Sequence, residues 1–163
     1  MSSFTKAHAA IVYDPLASRE LGKDHWRNLG MFRYYIGEKN SDEWVTVNAG
    51  ALSDGASVPF PCNALIPAWG SYSQAVLLHD VLCNTYYKFK MIGGVAQQVP
   101  ITRTEIDAIL AEAMVVLNVH PARRNLINAG VSLYRWLRNP KRPVPNPARV
   151  RLEAMYDPTD FDY

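Results

Sequence analysis

Ser73-Gln74-Ala75-Val76-Leu77-Leu78-His79-Asp80-Val81-Leu82-Cys83 is the stretch on which the reading of this chain turns. Most of it is apolar, and Val76, His79, Cys83 and Tyr86 recur at spacings of three and four. That periodicity predicts a helix from near Ser73 to Lys88 with the stripe turned inward. His79 and Asp80 interrupt the run, and ionisable groups are costly to bury unless paired or coordinated. They therefore brace the fold or form part of a site. Neighbours on a helix point about 100° apart, so the two cannot face one spot squarely.

Two further helices are expected downstream. Thr102-x-x-Glu105 has the form of a capping box ahead of Ile106, Ile109, Leu110, Ala113, Met114 and Leu117, which make one apolar face. Asp107 lies at the edge of that face and forms an i, i+4 pair with Arg103. A third helix starts at Pro121, a favoured first-turn residue, with Leu126, Gly130, Leu133 and Leu137 as its buried stripe. Arg123, Arg124, Arg135 and Arg138 are placed outside that stripe. Between the first two helices, Gly93-Gly94 is read as part of a loop.

Upstream, Ile11-Val12-Tyr13, Met31 to Ile36 and Trp44 to Val47 read as strands, with residues 37–42 as a hairpin loop. Pro59, Pro61 and Pro67 then interrupt regular structure. After Asn139 the prolines at 140, 143, 145 and 147 predict an extended, semi-rigid segment that ends in an aromatic and acidic tail. The expected class is α+β: a small N-terminal antiparallel sheet packed on about three C-terminal helices, with an extended Pro-rich tail. Residues 1–138 form one globular domain in this reading, and 139–163 form the arm.

Chemistry-bearing residues concentrate at two places. Asp54-Gly55-Ala56-Ser57-Val58-Pro59 is a turn in which Asp and Ser can hydrogen-bond the backbone, and such turns also present side chains to clefts. His79-Asp80 is the other. His79, Asp54 and Ser57 are the candidate catalytic set, with Asp54 or His79 as general base. His79, Asp54, Asp80 and Asp107 are the candidate ligands of a divalent metal, the cofactor such a set would suit. Cys83, one turn after His79, permits a thiol–imidazole pair, although buried cysteines are common without any role. Neither Cys62 nor Cys83 lies in a CxxC pair. Phosphate-loop, nucleophile-elbow and HExxH patterns are absent from the sequence.

Asp54-Gly55-Ala56-Ser57-Val58-Pro59, Gly70-x-Tyr72, Leu78-His79-Asp80-x-Leu82, Arg103-x-Glu105-x-Asp107 with Glu112-Ala113-Met114, and the Arg123-Arg124 helix ending near Trp136 occur in that order. This set resembles a small uncharacterised family of tailed-phage and prophage proteins, a domain of unknown function. The likeness covers roughly residues 43–137, and Cys83 departs from a position that is usually aromatic there. It implies phage origin and shared polar positions at Asp54, Ser57, His79, Asp80 and Asp107. It implies no reaction.

A chain of 163 residues with net charge +2 has no whole-chain electrostatic footprint for nucleic acid or membrane. No stretch is long and apolar enough to span a bilayer, and no apolar run follows Met1 to Lys6 as in a secretory signal. The sequence thus predicts a protein of the host cytoplasm or the virion. The leading functional expectation is a small hydrolase-like site, metal-assisted or metal-free. The alternatives are a virion or assembly component whose residues 139–163 dock on other phage structural proteins, and a host-takeover binding protein.

Overall fold

A computed structural model describes residues 1–55, 67, 69–138, 142–143 and 146–161. Its class is the α+β expected from sequence, with antiparallel sheets built mainly from the N-terminal part and helices mostly C-terminal. The strands are β1 (Ser3–Phe4), β2 (Ile11–Tyr13), β3 (Trp26–Asn28), β4 (Phe32–Tyr35), β5 (Glu43–Val47), β6 (Leu52–Ser53), β7 (Tyr87–Ile92) and β8 (Val95–Pro100). The helices are α1 (Pro15–Leu21), α2 (Ser73–Thr85), α3 (Arg103–Val116), α4 (Pro121–Arg138) and α5 (Pro147–Ala154), followed by a 3-10 turn at Pro158–Phe161. One sheet has the order β1-β4-β5-β7-β8, the other β2-β3-β6.

The β4–β5 hairpin forms where the alternating runs predict it, with Phe32 opposite Val47 and Tyr34 opposite Val45. All four are buried and meet Leu77, Leu78 and Leu82 of α2 in the main core. Ile106, Leu110 and Met114 of α3 join the same core, as the 3.6-residue pattern requires. The capping box at the start of α3 is complete: Thr102 Oγ1 accepts from the Glu105 amide, and Glu105 Oε2 accepts from the Thr102 amide at 2.7 Å.

Three expectations need correction. First, α2 stops at Thr85 rather than Lys88. Tyr86 adopts a left-handed conformation (φ 55°) and its amide donates to the Leu82 carbonyl, which closes the helix. Second, the segment read as a loop is a hairpin. Gly93 and Gly94, both at positive φ, form a two-residue turn that sets Ile92 against Val95 and extends the main sheet by β7 and β8. Third, the apolar stripe assigned to α4 is only half inside: Leu126 packs half-buried on the core and Gly130 lines a cavity, but Leu133 and Leu137 are 46% and 63% exposed, and the buried residue is Ile127.

The C-terminal residues return to their own chain. Asn146 accepts from the Arg149 amide and caps α5, and Pro147 occupies its first turn. Leu152 is buried against Ala17 and Leu52. The free edge of β6 is clasped by side chains: Leu52 N–H donates to Glu153 Oε1 at 2.9 Å, and Arg149 donates to the Leu52 carbonyl. Arg149 and Glu153 are themselves paired at 3.0 Å. Beneath them, Arg27 is buried, donating to Asp14 at 2.7 Å and to the Gly50 and Leu152 carbonyls at 3.0 and 3.1 Å. Its guanidinium carbon lies 5.6 and 5.8 Å from the rings of Tyr156 and Phe161. Gly50 (φ 85°) cannot be replaced here, since a Cβ would come within 2.7 Å of Tyr156. The expected extended arm is thus a helix over Pro147–Ala154; residues 139–141 and 144–145 of the same stretch lie outside the described residues.

Because Leu152 is buried, Leu152→Ala removes a full core side chain and should destabilise the chain by roughly 2–4 kcal/mol. Urea unfolding followed by tryptophan fluorescence checks this: the midpoint falls with an unchanged slope. A midpoint equal to the parent's would mean that α5 is not part of the cooperative unit.

Candidate functional site

A cavity of about 270 Å³ lies between α2, α3, α4 and the turn that follows β6. One wall is apolar, made by Val76, Leu110, Ile127 and Val131. The polar lining is Lys23, Asp54, His79, Asp80, Arg103 and Tyr134. Asp54, His79 and Asp80, predicted from widely separated motifs, therefore reach one half-open cavity. Asp107 sits behind it.

His79 is held from one side. Its Nε2 lies 3.1 Å from Asp107 Oδ1, and both side chains are little exposed. The carboxylate oxygen accepts, so Nε2 carries the hydrogen and the lone pair of the neutral ring is left on Nδ1. Asp107 Oδ1 also accepts from Arg103 Nε at 3.0 Å. Arg135 Nη1 stands 3.1 Å from the other oxygen, an ion pair not aligned as a hydrogen bond. Arg103 Nη2 is 3.4 Å from His79 Nε2, and its guanidinium lies over the Tyr134 ring at 5.8 Å. The Arg103–Asp107 pair is therefore not a solvated helix-surface pair; each side chain is 11% exposed.

The second polar group is made of carboxylates. Ser53 Oγ donates to Asp80 Oδ2 and also accepts from the Gly55 amide at 3.0 Å, which ties the end of β6 to α2. Gly55 adopts φ 76°, and the chain turns there just after Asp54. Asp54 pairs with Lys23. Burial and the neighbouring Asp54 charge push the Asp80 carboxyl up to about 6, opposed by the Ser53 hydroxyl and by the positive charge of Arg149. Two carboxylates with different partners stand together, and one of them is protonated in the mildly acidic range.

Cys83 does not form a nucleophile pair with His79. Its Sγ is 3.7 Å from both ring nitrogens, a placement off the lone pair of either. Burial pushes the thiol up to about 12, so no useful thiolate forms near neutrality. As for a metal, Asp107 is engaged by two guanidinium groups and an imidazole. Among the described residues no group of three or more His, Cys, Asp or Glu side chains is placed to hold an ion. Ser57, the third catalytic candidate, and Cys62 lie outside the described residues.

Residues 26–131 match the family described as a protein of unknown function, DUF1353. The chain belongs to this family. The matched span of the DUF1353 domain carries Asp54, His79, Asp80, Arg103 and Asp107, while Lys23, Arg135 and the α5 clasp lie beyond it. No curated protein and no solved structure matches the chain.

Lys23, Ser53, Tyr134 and Arg135 are components that sequence reasoning passed over. Lys23 and Ser53 carry no motif, and only the pairing of β3 with β6 brings their segment to the cavity. Arg135 was visible as one of the α4 arginines, but its direction depends on which face of α4 is buried.

The raised Asp80 group has a consequence for stability. Its folded value lies above the ordinary carboxylate value, so the folded state binds this proton more tightly than the unfolded chain does. The stabilisation is complete below about pH 4 and is lost as pH rises through about 6. Asp80→Asn, neutral at every pH, should be more stable than the parent above pH 7 by on the order of 3 kcal/mol and equal to it near pH 4. Melting temperatures of both proteins across that range test the sign; an Asn variant less stable at pH 8 than at pH 4, relative to the parent, contradicts it.

Proposed function

We propose that this DUF1353 chain is a small hydrolase that works by metal-independent acid–base chemistry in the cavity shared by Asp54, His79 and Asp80. The observation that carries the reading is their convergence on one half-open, partly apolar cavity with the His79 ring oriented by Asp107. Asp80, protonated in the mildly acidic range, is the general acid for the leaving group. Asp54, or His79 through Nδ1, takes the proton of the attacking water. Lys23 and Arg103 lie at hand to stabilise negative charge as it develops. Ser57 belongs to the same proposal as a residue that orients substrate or water. The apolar wall would receive a carbon-rich part of the substrate. Phage origin and a host-cytoplasmic or virion setting, implied by the motif resemblance, are part of this reading as well.

The non-enzymatic alternative placed residues 139–163 on a neighbouring subunit. Leu152, Glu153, Arg149, Tyr156 and Phe161 instead engage this chain's own β6, Arg27 and Gly50. Nothing among the described residues of that segment favours the docking reading over the hydrolase.

A panel of chromogenic phosphoester, glycoside, ester and amide substrates, assayed with the purified full chain from about pH 4 to 9, tests the proposal. The expected outcome is turnover whose kcat/KM falls as pH rises above about 6, the limb set by Asp80. Asp54→Asn and Asp80→Asn should each lower it by on the order of 10²–10⁴-fold, and Cys83→Ser should leave it unchanged. Turnover that survives Asp80→Asn, or a complete lack of turnover on every class, sinks the assignment.

A further inference from the structure

A second half-open cavity, of about 320 Å³, lies between the end of α2, the strands β5 and β7, and α5. Val81, Asn84 and Thr85 of α2 line it, whereas the first cavity takes His79, Asp80 and Cys83 from the same helix. It forms where a sheet ladder stops. The β5–β7 register runs through Glu43↔Lys90 to Trp44↔Phe89 and ends there. The Met91 amide donates to the Asp42 carbonyl at 2.8 Å, so by alternation Trp44 and Thr46 also turn their backbone groups towards β7. The rung that would follow, Thr46 with Tyr87, is not formed. Each strand thus carries an N–H and a C=O into the gap without a ladder partner.

The side chains around the gap are of three kinds. The Phe89 ring stacks on Trp44 with centroids 5.7 Å apart and meets the Tyr87 ring edge-on at 5.6 Å, so Tyr87 and Phe89 form a fixed aromatic corner. Thr46 Oγ1, the Asn48 side-chain amide and the Tyr87 hydroxyl have no hydrogen-bond partner among the described residues. Thr85 Oγ1 spends its one hydrogen on the Val81 carbonyl and keeps only lone pairs. Asn84 uses one amide hydrogen on the Asp80 carbonyl and keeps Oδ1 and the other. Both bonds that Glu153 makes in the clasp end on Oε1, which leaves Oε2.

We infer that this cleft binds a neutral sugar ring, a single pyranose unit. The inference stands apart from the hydrolase reading and does not depend on it. Charge is the first reason. Among the described residues Arg149 and Glu153 are the only charged side chains in the lining, and they are paired with each other at 3.0 Å. An ion would find no uncompensated partner, and an anion would also meet the C-terminal, negative end of α2. The second reason is hydrogen bonding. The lining mixes free donors at Asn48 and Asn84 with positions that only accept, at Thr85 and Glu153. A sugar hydroxyl answers both, because it donates and accepts. The third is shape. The C–H face of a pyranose fits the Tyr87–Phe89 corner, while the aliphatic lining is limited to Val81, Ala49 and Ala51, too little for an acyl chain. A ring of about a dozen heavy atoms binds with a Kd on the order of 1 mM.

Two-dimensional amide NMR of the full chain reads this directly. Glucose, galactose, mannose and N-acetylglucosamine are each titrated to about 100 mM, with phosphate, tetramethylammonium and hexanol as the contrasting probes. At least one sugar should give saturable shifts centred on Thr46, Asn48, Asn84 and Tyr87. Thr46→Val and Asn48→Ala each remove a polar group that bonds to nothing else in the fold, so the melting temperature should stay near the parent's while the sugar Kd rises about five- to tenfold. No saturable shift with any of the four sugars would overturn the inference. So would sugar shifts confined to Asp54, His79 and Arg103 at the first cavity, or variants that bind as tightly as the parent. Saturation of the Thr46 and Tyr87 amides by phosphate, tetramethylammonium or hexanol where the sugars fail would assign the cleft to another class of ligand and overturn it as well.

Discussion

The Asp107 carboxylate is the constraint on which the helical half of this protein depends. His79 of α2, Arg103 of α3 and Arg135 of α4 all reach it, so one charge on α3 links three helices. A buried charge of this kind contributes less to net stability than its Coulomb attraction suggests, because desolvation opposes it. Its effect is on geometry. Apolar contacts among Leu110, Ile127 and Val76 would tolerate small rotations of the helices. The carboxylate does not, because a rotation of α2 or α4 draws His79 or Arg135 out of reach of a little-exposed charge. The orientation of the His79 ring follows from the same contact.

A second anchor serves the sheet half. The Arg27–Asp14 pair lies under β3, and Arg149 with Glu153 satisfies both backbone groups of Leu52 at the edge of β6. Two side chains thereby do what a neighbouring strand would do: one accepts from the N–H and the other donates to the C=O. A two-residue strand has little to hold it in register, and β6 leads directly to Ser53, Asp54 and Gly55. The clasp therefore fixes where Asp54 stands. It also acts electrostatically, since Arg149 is one of the charges that oppose the upward shift of Asp80. A helix beyond the matched DUF1353 span thus works against the protonation of a group within it.

Much of this was legible in the sequence, and the exceptions share a cause. The β4–β5 hairpin, the capping box of α3 and the start of α4 at Pro121 are local signals, read from a few adjacent residues. Asp54, His79, Asp80 and Asp107 stood out because charges among apolar neighbours need partners. The hairpin of β7 and β8 was hidden because the spacing of Val76, His79, Cys83 and Tyr86 carries a helical period past the true end of α2. A left-handed Tyr86 does not announce itself in the sequence as a glycine would. The inward face of α4 is only half legible, for a different reason. The helix has apolar residues on two arcs, and periodicity alone cannot say which one meets the core. The partner of Asp107 on α4 was lost with it, since Arg135 lies on the arc taken to be outside.

His79 and Asp80 show how the two anchors make a cavity. Adjacent residues on a helix diverge by about 100°, so a dipeptide of ionisable groups cannot be neutralised by one partner. Helix α2 resolves this by packing in the angle between two structures. His79 turns towards α3 and meets Asp107, while Asp80 turns towards β6 and meets Ser53. The space between those directions is bounded by a fixed imidazole on one side and a fixed carboxyl on the other. Apolar residues of α2, α3 and α4 close its back. Had either anchor been absent, the neighbouring segment could close over the gap and leave His79 and Asp80 as two separate buried polar groups. With both present, the divergence forced by the helix keeps the His79 imidazole and the Asp80 carboxyl apart across an open space.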